Sequence, residues 1–281
     1  MKTIVVTGGK GGVGKSTVAI LLALTLVKQR KTVVLVDADV ECPNDYLLLS
    51  SPLGKKRAKI DAFLPKINSQ KCIRCGLCVK KCPDNALFQP KGKVPFVLPE
   101  LCAHCGVCRL VCPVGAIEEE KQTLGFVFEK KIKPNFWLFT GQVKGIVEET
   151  GPLVTKLKQE ALDKAKMIKA DFVIIDSAAG LHCPVIQALL GADKALLVTE
   201  STPLGLHDLK LSYQLVKKEL KIPLSVVINQ FDLGQVEPVE KFLKAKKIKT
   251  TLKLPYSKKL VELYAKGKLI DFDIGGLKWN W

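Results

Sequence analysis

The sequence predicts an α/β fold: a mostly parallel sheet covered by helices on both faces, interrupted by a small α+β insert. Three observations lead there. Short unbroken apolar runs recur along the chain: TIVVT at 3–7, TVVLVDAD at 32–39, FVIID at 172–176, ALLVT at 195–199 and LSVVIN at 224–229. Helical patterns separate them, at 154–169, 205–219 and 236–246. Continuous apolar strands alternating with helices mean a parallel sheet buried on both sides. Residues 68–119 break this rhythm and hold eight of the ten cysteines.

The totals agree. A chain of 281 residues suits one large α/β domain carrying a small insert. With 47% hydrophobic and 25% charged residues it can bury a full core, which excludes a disordered chain. The longest apolar stretch, Val18 to Leu24, is far short of a membrane span. MKTIVVTGG enters a strand directly, with no signal-peptide apolar region, so a cytoplasmic protein without a membrane anchor is expected. The formal charge is +17, and only Arg30, Arg57, Arg74 and Arg109 are arginines. Lysine without arginine is poor equipment for bidentate phosphate or base readout, so a solvated lysine exterior is expected rather than a nucleic-acid surface.

The first strand runs into GGKGGVGKST at 8–17. Gly9 to Ser16 fit the phosphate-loop pattern G-x-x-x-x-G-K-[ST], placed after a strand and before a helix, as that pattern requires. Glycines let backbone N–H groups close on phosphates, and the helix N-terminus adds positive potential. Lys15 is expected to reach the β- and γ-phosphates and the Ser16 hydroxyl to ligate Mg²⁺. The helix that follows, Thr17 to Gln29, is almost wholly apolar, so it packs against the sheet. The second strand ends in Asp37 and Asp39, and FVIID ends in Asp176. Aspartates at strand ends are common in α/β sheets, so these three gain meaning only beside the phosphate loop.

In the insert, Cys72, Cys75, Cys78 and Cys82 follow C-x2-C-x2-C-x3-C and precede Pro83. Cys102, Cys105, Cys108 and Cys112 repeat the spacing 30 residues later and precede Pro113. Two four-cysteine zinc sites are the competing reading. After the insert, FVFEK and FWLF read as strands around a turn at Lys133–Asn135. The division expected is residues 1–65 and 121–281 for the α/β domain and 66–120 for the insert.

The double cysteine run resembles a two-cluster bacterial ferredoxin, in which the fourth cysteine of each run ligates the other cluster. The resemblance implies one [4Fe–4S] cluster on Cys72, Cys75, Cys78 and Cys112, and a second on Cys102, Cys105, Cys108 and Cys82. The string KGGVGKST, with Lys10 ahead of Lys15, resembles the deviant Walker A ATPases of the MinD/Mrp/ParA superfamily. That resemblance implies a P-loop NTPase fold that binds ATP with Gly9, Lys10, Gly11, Gly12, Val13, Gly14, Lys15, Ser16 and Thr17. It implies that Lys10 crosses a dimer interface to the partner's phosphates. Asp37 falls near the Mg²⁺ shell with Ser16, Asp39 orients the attacking water, and Asp176 takes the Walker B position. Asn229 and Pro255 fall where the family holds adenine. DVECPN at 39–44, the 141–149 stretch and LLVTESTPLGLHDLKL at 196–211 resemble members that carry an inserted ferredoxin domain.

The sequence departs from the family at three places. Ala178 and Ala179 stand where prolines are usual in switch II, Cys42 stands where cysteine is seldom found, and no C-terminal amphipathic helix is present. The ending GLKWNW is expected to pack on the domain. Cys183 is read foremost as a small buried hydrophobic residue, with a third cluster ligand as the alternative, and His104, His182 and His207 as packing or surface residues. The function implied is an ATPase that dimerises on ATP, with itself or with a related subunit. It passes electrons through two [4Fe–4S] clusters to an acceptor protein. The alternatives are iron–sulfur cluster carriage or assembly, and a positioning ATPase without redox turnover.

Overall fold

A computed structural model describes residues 1–145, 147 and 149–279. Parts of the 141–149 stretch and of the GLKWNW ending, at 146, 148, 280 and 281, lie outside the described residues. In chain order the α/β part opens with β1 (Lys2–Thr7), α1 (Lys15–Lys28), β2 (Val33–Ala38) and α2 (Asp45–Leu48). The long strand β3 (Lys55–Ile67) leads to the cysteine segment, with α3 (Leu77–Lys80), β4 (Leu87–Phe88), β5 (Phe96–Val97) and α4 (Val107–Leu110). The chain returns through β6 (Ile117–Lys133) and β7 (Phe136–Val143) to α5 (Gly151–Met167), β8 (Phe172–Ser177), α6 (Cys183–Leu189) and β9 (Lys194–Glu200). It closes with α7 (Pro203–Tyr213), β10 (Leu224–Asn229), α8 (Glu237–Ala245), β11 (Thr250–Leu254) and α9 (Lys258–Ala265).

The described residues form a nine-stranded sheet in the order β11-β10-β9-β1-β8-β2-β7-β6-β3. From β11 to β7 every pairing is parallel, while β6 runs antiparallel to both β7 and β3. The expected mostly parallel sheet is therefore present, with an antiparallel edge. Alternation along each strand serves two separate cores. Ile4, Val6, Leu35, Leu138 and Ile174 face α1, whose Val18 to Leu26 are buried. Val5, Val36, Phe139 and Val173 face the other way, onto Leu153, Leu157 and Ala161 of α5 and onto α6 to α8. This two-sided burial is why the strands read as unbroken apolar runs. Trp279 packs on the α1 side, its indole N–H donating to the Thr25 hydroxyl at 3.1 Å.

The boundaries expected at 66 and 120 fall inside β3 and β6, which pair from Lys55–Glu129 to Ile67–Ile117 with register shifts at Lys56/Ala58 and Ile60/Asp61. The charged stretch KKRAKIDAFLPKI does not read as a strand, because most of its residues are not buried. FVFEK and FWLF do pair across a turn, as expected. β7 stops at Val143, opposite Gly125, so from Thr123–Asp61 onward β3 and β6 continue as a two-stranded ribbon. Because β7 is parallel to β2, the ribbon leaves the sheet at the edge where the parallel strands end.

Leu157 is fully buried among the α5 contacts on the sheet. Leu157→Ala is expected to cost about 2–5 kcal/mol through lost burial and a residual cavity. A lower denaturation midpoint at unchanged m-value would show it.

Candidate nucleotide and cysteine sites

Parallel strands deliver their C-terminal ends to one edge, and ligands bind there in open α/β sheets. β1 ends at the phosphate loop, β2 at Asp37, β8 at Asp176, β9 at Glu200 and β10 at Asn229. A cavity of about 400 Å³ opens at this edge, lined by Gly12, Lys15, Thr17, Asp39, Asn229 and Pro255 among others. Gly12 and Gly14 take left-handed conformations, φ +80° and +91°, which turn the loop around the cavity. Gly14 is also the N-cap of α1 and no side chain caps that helix, so its first N–H groups remain available to an anion. Val13 is buried in the α1-side core and anchors the loop.

Lys15 is buried, its Nζ donating to the Lys10 carbonyl at 3.1 Å. Burial lowers its pKa, opposed by the charges of Asp176 and Asp39. The Ser16 side chain lies beside Asp176 and favours its charged form. Asp37 lies directly across from Asp176 in the parallel register. Its Oδ2 accepts from the backbone N–H of Asn44 at 2.9 Å and of Asp45 at 3.0 Å, so Asp37 gathers the loop that follows β2. Burial pushes Asp176 up to about 7, with Asp39 adding to the rise and Ser16 and Lys15 opposing it. One buried Asp176 oxygen has no protein partner, which suits a hydrated Mg²⁺.

Two predicted site residues have roles the sequence did not reveal. Asn229 lines the cavity, but its Nδ2 donates to the Val13 carbonyl at 3.0 Å, so it props the phosphate loop. Lys10 turns back onto Glu200 of its own chain, with 2.5 Å between Nζ and Oε1. Glu200 gave no signal in the sequence. Asp45 was missed as well, and only its place two residues after a proline marks it. Tyr256 and Tyr264 also line the cavity, on the segment around α9.

The cysteine segment repeats in backbone as in sequence. Arg74 and His104, Gly76 and Gly106, and Asn85 and Gly115 all take positive φ, each pair 30 residues apart. Cys72, Cys75, Cys78 and Cys112 line one small cavity, and Cys82, Cys102, Cys105 and Cys108 line another. No three cysteine sulfurs among the described residues lie within 4.8 Å of one another. The Ala86 and Ala116 N–H groups donate to Cys82 Sγ at 3.3 Å and Cys112 Sγ at 3.2 Å. Burial pushes the Cys108 thiol to about 11. Around the quartets the apolar core is only Leu87, Cys108 and Ile117 with a few half-buried neighbours.

Cys183 corrects the expectation of a buried residue: it is exposed, at the first position of α6. Cys42 is also exposed, its N–H bonded to the Asp39 carbonyl at 3.1 Å. His104 Nδ1 lies 2.7 Å from the Phe63 carbonyl, and His182 and His207 are exposed.

The model of the CobQ/CobB/MinD/ParA nucleotide binding domain matches residues 4–270. An uncharacterized protein of Methanocaldococcus jannaschii is 35% identical over 269 residues, covering 95% of this chain and 91% of its own. The iron-sulfur cluster carrier protein of the same organism is 23% identical, over 94% of this chain and 65% of its own. Among solved structures, the septum site-determining protein MinD of Pyrococcus horikoshii, complexed with Mg-ADP, superposes with a TM-score of 0.56 at 18% identity. That match covers 98% of this chain and 90% of the other. Among the described residues no helix is long and apolar enough to cross a membrane.

Asn229→Ala removes a buried hydrogen bond that holds the phosphate loop. Affinity for ATP and for inorganic triphosphate is expected to fall together, by about tenfold, the equivalent of about 1–1.5 kcal/mol. Calorimetric titration with both ligands would measure it.

Proposed function

The chain belongs to the CobQ/CobB/MinD/ParA nucleotide-binding family, and from that premise we propose an ATP-hydrolysing iron–sulfur protein. In this reading ATP closes two copies, or one copy and a related subunit, into a dimer. The nucleotide state then governs electron transfer through two [4Fe–4S] clusters on the insert to an acceptor protein.

One observation carries this reading. The ribbon bearing the cysteines leaves the same sheet edge as the nucleotide cavity, and two successive backbone hydrogen bonds link it to the loop after β2 through the end of β7. The Val143 N–H donates to the Val40 carbonyl at 3.0 Å, and the neighbouring Lys144 N–H donates to the Leu124 carbonyl at 2.8 Å. Gly141 packs so closely there that a Cβ would lie 2.6 Å from Val40 Cγ1. A shift of the loop carrying Asp39 therefore presses on β7 and on the root of the ribbon.

In this mechanism Gly9 to Thr17 wrap the triphosphate and Lys15 neutralises its β- and γ-oxygens. Ser16 would hold Mg²⁺, with Asp37 and the Walker B Asp176 near its shell and acting through water, while Asp39 orients the attacking water. Asn229 and Pro255 flank the base. Lys10 leaves Glu200 to meet the partner's phosphates. A half-exposed ion pair of this kind is worth at most about 1 kcal/mol, so its exchange is no obstacle. The clusters, when bound, supply reversible one-electron sites. The crossed cysteine quartets hold them as thiolates, and the Ala86 and Ala116 N–H groups stabilise the negative charge on sulfur.

Cluster carriage is the second reading. Cys75 and Cys105 are exposed, which gives a recipient thiol access to one corner of each site. The similarity to an iron-sulfur cluster carrier protein leans the same way.

Anaerobic protein is expected to hold about eight irons, falling to about four in Cys112→Ser with loss of the Cys72–Cys78 site, as measured by iron and sulfide content. Zinc in place of iron would end this reading. Lys10→Ala is expected to abolish ATP-induced dimers in sedimentation and to slow hydrolysis on the order of 10³-fold. Stopped-flow reduction of an acceptor separates the two readings. A rate that changes with ATP analogues favours electron transfer. An unchanged rate, with cluster delivery to an apo-protein, favours carriage.

A further inference from the structure

Asp45 opens α2 and is completely buried. Neither of its carboxylate oxygens has a hydrogen-bond partner. One oxygen each from Asp37, Asp45 and Asp176 lie within 4.8 Å of one another. Asp176 contributes a buried oxygen that is also unpartnered. Leaving such groups dry and charged costs several kcal/mol each. Lys15 is the cation whose charge reaches Asp176, and it already serves the phosphate loop.

A proton on Asp45 would remove its charge but leave both oxygens without a partner. A cation would satisfy all three carboxylates at once. Three oxygens around one ion with bonds of about 2.0–2.4 Å stand at most about 4 Å apart, so this grouping can close on a single ion with little movement. The donors are all carboxylate, so a hard divalent ion such as Mg²⁺ or Mn²⁺ suits them.

We propose that Asp37, Asp45 and Asp176 form a divalent-cation site that fills in the absence of nucleotide, with Asp45 as the ligand dedicated to it. The ion shares Asp37 and Asp176 with the shell of the nucleotide's Mg²⁺, but it needs neither Ser16 nor the phosphates and draws on Asp45 instead. It ties the end of β2 and the start of α2 to the end of β8, and so sets the 38–45 loop before ATP arrives. A surface with a formal charge of +17 repels stray cations, so binding at neutral pH reports a built site.

The test uses the full chain with its clusters, treated with EDTA, desalted and free of nucleotide, and reads unbound Mn²⁺ by room-temperature EPR. Wild type is expected to bind one Mn²⁺ per chain. Asp45→Asn and Asp45→Leu are expected to weaken that binding at least tenfold. Mn²⁺ should raise the melting temperature of wild type but of neither variant, and in EDTA both variants should melt no lower than wild type. The proposal is overturned if wild type binds no Mn²⁺ without nucleotide, or if either variant keeps the wild-type affinity. Should a variant not fold, the wild-type melting shift with Mn²⁺ alone decides, and its absence overturns the site. No ATP is present, so the outcome is independent of whether the protein hydrolyses it.

Discussion

Two carboxylates meet where β2 and β8 run side by side, and the nucleotide edge is organised around that meeting. Asp37 and Asp176 are opposite one another in the parallel register and both are buried. Neighbouring negative charges out of water are tolerable only when cations and N–H groups converge on them. Lys15, the Ser16 hydroxyl and the amides of Asn44 and Asp45 are the groups that converge. The shape of the phosphate loop and the path of the chain after β2 both follow from satisfying this pair.

The same path reaches the cysteines. The chain after β2 is bonded to β7 at Val40, and β7 is bonded to β6 just before the ribbon leaves the sheet. Thr150 at the start of α5 adds a third tie, its hydroxyl 3.2 Å from Glu41 Oε1. Charge placed near Asp37 therefore acts on a continuous hydrogen-bonded route of backbone. Among the described residues the cysteine segment has a small apolar core, centred on Leu87, Cys108 and Ile117. Burial raises the Cys78, Cys102 and Cys108 thiols, so a metal held there would have to displace those protons.

Much of this was legible in the sequence, for physical reasons. Strands buried on both faces must be apolar throughout, so β1, β2, β8, β9 and β10 announced themselves. The phosphate loop needs glycine where φ is positive, and the repeated cysteine spacing reappears as a repeat in the backbone. β3 and β6 were illegible because little of either is buried: KKRAK and IEEEKQT carry charges where a half-buried strand would alternate, and Pro65 argues against a strand. Glu200 and Asp45 escaped because their importance lies in what approaches them from distant parts of the chain. Cys183 was misjudged because a lone cysteine is usually buried, whereas here it begins a helix facing solvent.

The free part of the ribbon, from Thr123 to Ile117, spans about 20 Å at the usual rise of a strand. An arm of that length amplifies. Tilting it by about 10° at Gly125 would carry its tip roughly 3–4 Å, while the strands at its root barely separate. Sub-ångström adjustments in the loop after β2 would thereby be magnified into displacements as large as the width of an atom, delivered where the ribbon meets the cysteine segment.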